Sequence, residues 1–100
     1  MEINALLMGT TDNVVTCVTD IRAGEMVNYK KGNEILSIVA EQDIPYCHKL
    51  ALVDIPADGE VIKYDESIGK VSCHIKKGHL VDHTNLFSVP RDYDAEMIKL

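Results

Sequence analysis

Polar and apolar positions alternate over short distances along this chain, and helical periodicity is nearly absent. Residues 13–21, "NVVTCVTDI", are rich in β-branched side chains that suit extended backbone. In "KVSCHI", Val71, Cys73 and Ile75 fall on one face of a strand, which predicts that Cys73 is a small core hydrophobe. Cys17 invites the same reading. "EILSIVAEQDI", "HKLALVDI" and "EVIKY" are further short β segments. "YKKGNE" reads as a hairpin loop with Gly32 or Asn33 at positive φ. Only "DYDAEMIKL" at the end has helical spacing: Tyr93, Met97 and Leu100 share a face, and Asp92 can cap the first turn.

A weak internal repeat organises these segments: Ile, two residues, a turn position, two residues, then Val or Leu. It occurs as "IRAGEMV" from Ile21, "IPYCHKL" from Ile44 and "IKKGHLV" from Ile75. A fourth copy, "IPADGEV" from Ile55, has Gly59 one place late. The pattern describes strand, tight corner, strand, with positive φ at the bend. Asp20, Asp43 and Asp54 precede three of the Ile residues and are placed to accept hydrogen bonds from turn amides. Cys47 stands where two sister corners have Gly24 and Gly78, so that corner either turns differently or strains a cysteine.

One hundred residues with one Phe and no Trp must form a single domain with a core of Val, Ile and Leu. The net charge of −6 and the dispersed Lys and Arg argue against nucleic acid as a partner. A single local cation could still bind a small anion. Three Cys form no disulfide framework. "MEINALLMG" lacks a basic start and a long apolar run, and no segment approaches the roughly 20 apolar residues of a membrane helix. A reducing cytoplasm fits these features.

Three clusters carry candidate chemistry. Cys47-His48 and Cys73-His74 hold zinc-type ligands, but neighbours on a strand point to opposite faces and two-residue ligand spacing is missing. A nucleophilic Cys47 would need a third group to orient His48, and none is visible. His48-Lys49 could hold a carboxylate or sulfonate, or be a solvated corner. In "GHLVDHTN", a strand would point Val81 and His83 one way and Asp82 and Thr84 the other. Asp82 could orient a histidine for acid–base work, supply an oxygen ligand, or lie at an exposed strand end.

The set "HKLALVDI", "VIKY", "IG" and then Gly78, Val81 and Asn85 resembles the small N-terminal domain of the altronate/galactarate dehydratase family, which includes sulfolactate sulfo-lyase. The matching residues are His48, Lys49, Ala51, Leu52, Asp54, Ile55, Val61, Ile62, Lys63, Tyr64, Ile68 and Gly69, within a likeness spanning 3–87. The resemblance implies an all-β, SAF-type β-clip domain over 1–89, then a C-terminal segment, 90–100, with a helical turn that could serve as a docking arm. It implies a small subunit or domain, inactive alone, of a lyase or dehydratase acting on a sugar acid or related hydroxy acid. His48, Lys49, Lys63, Tyr64 and Asn85 would bind substrate, while Asp82 and His83 would take catalytic positions. The family chemistry removes an α-proton to form an enediolate, and a β-hydroxyl or sulfite leaves. A divalent metal, iron by expectation, would act as Lewis acid. That metal and the proton-abstracting base would belong to a large catalytic partner, with no metal held by this chain alone. The alternatives are a stand-alone sugar-acid-binding module and a homo-oligomer joined through an exposed strand edge.

The chain departs from the family pattern at Cys47 and at Asp65, where glycine is usual. The terminal His-x-His-Asn signature becomes Asp82-His83-Thr84-Asn85. Both signature histidines are replaced, and His83 takes the variable place between them.

Overall fold

Four tight corners organise the backbone. In the computed structural model, which describes residues 2–87, they are turns at 22–25, 45–48, 56–59 and 76–79. The helical turn expected in the last residues and the docking arm expected over 90–100 lie outside the described residues. Each corner closes with its fourth amide donating to its first carbonyl at 2.7–3.1 Å. The third residue of each has positive φ: Gly24 (91°), Cys47 (69°), Asp58 (65°) and Gly78 (87°). Asp58 therefore holds the left-handed position in the copy from Ile55, and Gly59 stands one place after it, as the repeat indicated.

The corners work in pairs. Ile21 and Ile44 exchange both backbone hydrogen bonds at 2.8–2.9 Å, and Ile55 and Ile75 do the same at 2.8 Å. All four Ile side chains are buried, each contributing about 1.5–3 kcal/mol. The preceding aspartates fasten each pair. Asp20 Oδ1 accepts from Tyr46 N, Asp43 Oδ1 from Ala23 N and Asp54 Oδ1 from Lys77 N, all at 2.8 Å. Structural capping is thus what these carboxylates do. The fourth position is His74, which leaves this scheme incomplete.

Between the corners run nine short strands among the described residues: β1 (Ala5–Leu6), β2 (Val14–Cys17), β3 (Met26–Lys31), β4 (Glu34–Val39), β5 (Lys49–Ala51), β6 (Glu60–Lys63), β7 (Glu66–Val71), β8 (Leu80–Val81) and β9 (Leu86–Phe87). The chain is all-β over this range, as expected from the resemblance. One corner pair holds the base of the β3–β4 hairpin, and the other holds the base of β6–β7. Gly32, at φ 61°, makes the first hairpin turn.

A four-stranded sheet in the order β1-β2-β5-β8 lies between the hairpins. Val15, Cys17 and Leu50 join a cluster with Val27 and Ile38 of β3 and β4. Val14, Ala51 and Val81 join a second cluster with Val61 and Val71 of β6 and β7. Covering on both faces explains why "VVTC" and "LA" do not alternate. Burial pushes the Cys17 thiol up to about 11. Both sheet edges are closed by side chains. At β8, Gln42 Oε1 accepts from Leu80 N at 2.9 Å and Asn85 Nδ2 donates to Leu80 O at 2.7 Å. At β1, Asn4 Oδ1 accepts from Asn28 N and its Nδ2 donates to Met26 O, which ties the edge to β3.

Cys73 departs from expectation. Strand β7 ends at Val71, the backbone bends, and Cys73 is exposed while Ile75 turns back to Ile55. The period-2 reading failed because it ran a strand through a bend.

Replacing Cys47 by Gly should raise stability by about 0.5–1 kcal/mol. Relief of about 1–2 kcal/mol at a left-handed non-glycine residue outweighs the ~0.4–1 kcal/mol of added unfolded-chain freedom. Urea unfolding measures it; a lower midpoint would show that the Cys47 side chain is contributing a contact.

Candidate anion-binding site

The corner at 45–48 delivers His48 and Lys49 to the start of β5. There Lys49 pairs with Thr16 on β2 and with Val81 on β8, one residue before Asp82. Sheet register alone therefore sets the 48–49 dipeptide beside the 82–85 turn.

His48 Nδ1 lies 3.1 Å from Tyr46 O. A carbonyl only accepts, so Nδ1 carries the proton, and Nε2 is left for a ligand as a lone pair or, when protonated, as a donor. Lys49 is half-buried. Burial lowers its pKa first, and the nearby Lys63 ammonium lowers it further, while Asp82 partly offsets both. Lys63 stacks over the Tyr64 ring at 5.5 Å. Among the described residues neither lysine forms an ion pair. The Thr16 hydroxyl, paired in register with Lys49, is buried without a hydrogen-bond partner.

Lys63 and Tyr64 are held there by a residue that the sequence did not single out. The β6–β7 turn has positive φ at both central residues, Tyr64 (56°) and Asp65 (60°). Buried Asp12 fastens it: Oδ2 accepts from Gly9 N and Tyr64 N, and Oδ1 accepts from Asp65 N. Asp65 in turn accepts from both Thr11 N and Thr11 Oγ1 at 2.7 Å, contacts that hold its carboxyl below its ordinary range. A Cβ on Gly9 would come within 2.5 Å of that carboxylate, so Gly9 is fixed by close approach. The departure from glycine at Asp65 is thus accommodated by Thr11. No local signal marks Asp12, whose partners lie 52 and 53 residues away.

The 82–85 segment is a turn, not a continuing strand. Strand β8 stops at Val81, so the expected alternation of Asp82 and His83 does not apply. Asp82 Oδ1 accepts from both Thr84 N and Thr84 Oγ1, and Asp82 N donates to Asn85 Oδ1 at 2.9 Å. The Thr84 hydroxyl is the main cause of a lowered Asp82 pKa, and the charges of His83 and His48 add to it. A depressed carboxyl stabilises the fold at neutral pH, and that contribution is lost as pH falls through the folded value. Asn85 spends its amide on Asp82 N and Leu80 O, which makes it a brace of this turn. His83 is exposed beside Asp82.

His48, Lys49, Lys63 and Asp82 therefore share one electrostatic neighbourhood, with His83 next to it, Tyr64 joined through Lys63 and Asn85 through Asp82. It can hold an anion: two ammonium groups and an imidazole outweigh one carboxylate already engaged by Thr84. A resident metal does not fit. Among the described residues no three His, Cys, Asp or Glu side chains converge on one point, so neither Cys-His dipeptide builds a zinc site.

Comparison with known sequences matches residues 3–89 to the family described as the altronate/galactarate dehydratase SAF domain. The chain is 40% identical over 76 residues to galactarate dehydratase (L-threo-forming) of Escherichia coli, covering 74% of this chain but only 13% of that enzyme. It is 32% identical over 92 residues to (2R)-sulfolactate sulfo-lyase subunit alpha of Chromohalobacter salexigens, covering 89% of this chain and 95% of that subunit. No described helix is long and apolar enough to cross a membrane.

If Lys49 and Lys63 share a neighbourhood, Lys63→Met should move the Lys49 ammonium titration upward, read by NMR of the lysine side chain. An unmoved titration would separate the two lysines.

Proposed function

The chain belongs to the SAF-domain family of altronate and galactarate dehydratases, and on that premise we propose that it is the small, non-autonomous subunit of a lyase acting on a sugar acid or related hydroxy acid. The observation that carries this reading is the pair Lys49 and Lys63 beside His48, with Asp82 as the one carboxylate acting on Lys49, in a protein of net charge −6. One carboxylate, itself engaged by Thr84, leaves two ammonium groups in excess. That excess is a place for an external anion.

On this reading Lys49 and Lys63 hold the substrate's carboxylate or sulfonate as point charges, and His48, with Nδ1 donating to Tyr46 O, donates from Nε2 to a neighbouring oxygen in its imidazolium form. Tyr64 flanks the anion through its stack with Lys63. Asp82 stays ionised and exposed His83 stands ready to take or deliver a proton at the rim. Asn85 acts by keeping Asp82 in place. The large partner supplies the opposite wall, the base that removes the α-proton and the divalent metal expected for the family chemistry. Closing the two walls would exclude water and strengthen each of these contacts. Near-complete coverage of a relative named as a subunit supports a separate small chain. Free thiols at Cys47 and Cys73 suit a reducing compartment such as the cytoplasm.

A binding module without catalysis is the second reading, favoured by Asp82 and Thr84 standing where the family signature has histidines. One experiment separates the two. Co-expressed with a large dehydratase subunit, the chain should co-elute on size exclusion and confer lyase turnover. Lys49→Met and Lys63→Met should each lower kcat/KM roughly 10- to 100-fold, the loss of one charge-assisted hydrogen bond, without affecting co-elution. A chain that stays alone and is stabilised by sugar acids supports the module instead.

A further inference from the structure

The fourth corner differs from its three sisters in a way that the fold does not require. Asp20, Asp43 and Asp54 each cap an amide of the paired corner, whereas His74 stands at the equivalent place. By the geometry of the first pair, where Asp43 caps Ala23 N, the amide that should be served here is Ala57 N. That cap is given up. In its place the backbone offers an imidazole.

His74 lines an open cleft of about 320 Å³ at the covered edge of β8. Lys76 and His79 line it as well, and Gln42 and Asn85, which close the strand edge, form part of its wall. Ile75 and Leu80 give it an apolar side. No lining residue is a carboxylate, although the chain holds 16 Asp and Glu. Among the described residues, the side chains of His74, Lys76 and His79 have no hydrogen-bond or ion-pair partner. The two corner pairs also equate His79 with His48, since each ends a return corner immediately before a strand of the central sheet. The duplicated fold therefore presents a histidine twice. None of the lining residues belongs to the His48–Lys49–Lys63 group.

We propose that the His74–Lys76–His79 cleft is a second anion site, adjoining the substrate wall at Asn85 but built from other cations, which takes a small molecule bearing a carboxylate or phosphate group. One ammonium and two imidazoles supply donors without a competing acceptor, and the volume admits a ligand of a few heavy atoms. The shared chemistry is an anionic oxygen group, so the probes are inorganic phosphate and malonate.

The test is a titration of the full chain with each probe, followed by amide NMR, with thermal unfolding read in parallel. Saturable shifts should appear at 73–80 and at Gln42, and should persist in Lys49→Met. Lys76→Gln and His79→Gln should weaken binding with an unchanged melting temperature. His74→Asp should remove binding yet raise the melting temperature by a few degrees, because the carboxylate restores the missing cap on Ala57 N. Opposite signs for binding and stability set a ligand role apart from a folding defect. Saturation by one probe only would assign the oxyanion type. Shifts that never saturate, shifts confined to 48–49 and 63, or full binding by His74→Asp would each overturn the proposal.

Discussion

Two Ile pairs that exchange both of their backbone hydrogen bonds hold this molecule together. Ile21 with Ile44 and Ile55 with Ile75 are the points at which each hairpin is gathered at its base. The exchange is possible because the turns beside it are tight, and the turns are tight because one residue in each takes positive φ. Aspartates then supply the acceptors that the corner amides lack. Once these pairs form, the register of β5 is set. Register decides that His48 and Lys49 emerge beside the turn after β8.

The proposed site inherits its character from this arrangement. Clusters of Val and Ile fill either face of the sheet. At its end the fold offers a surface on which Lys49, Lys63 and His48 stand together with Asp82 as the one carboxylate acting on them. Burial first, and the nearby Lys63 second, lower the pKa of Lys49, while Asp12 holds the β6–β7 turn that carries Lys63. The family match and the 13% coverage of galactarate dehydratase agree with a domain that works as part of something larger.

Much of this was legible in the sequence, for physical reasons. The corner repeat was readable because a tight turn demands a fixed spacing between buried Ile and the bend, and the caps because Asp stands just before Ile. The glycine hairpin turn and the residues shared with the family were readable too. Strand ends were not. Cys73 was read as core because alternation cannot detect a bend at 72–74, and Asp82 with His83 was read as strand because the Thr84 and Asn85 hydrogen bonds that stop β8 leave no periodic trace. Asp12 was missed since the two turn amides that it clamps, Tyr64 N and Asp65 N, are distant in sequence. Cys47 and Asp65 were visible as departures from glycine, but only the backbone reveals that both keep the left-handed conformation that glycine would have had.

The most direct test is to locate the substrate. In a crystal structure of the chain with its large partner and an unreactive hydroxy-acid analogue, the account predicts that the Lys49 and Lys63 ammonium groups and His48 Nε2 contact the analogue's anionic end across the interface. An analogue bound wholly by the partner, with both lysines turned to solvent, would contradict it.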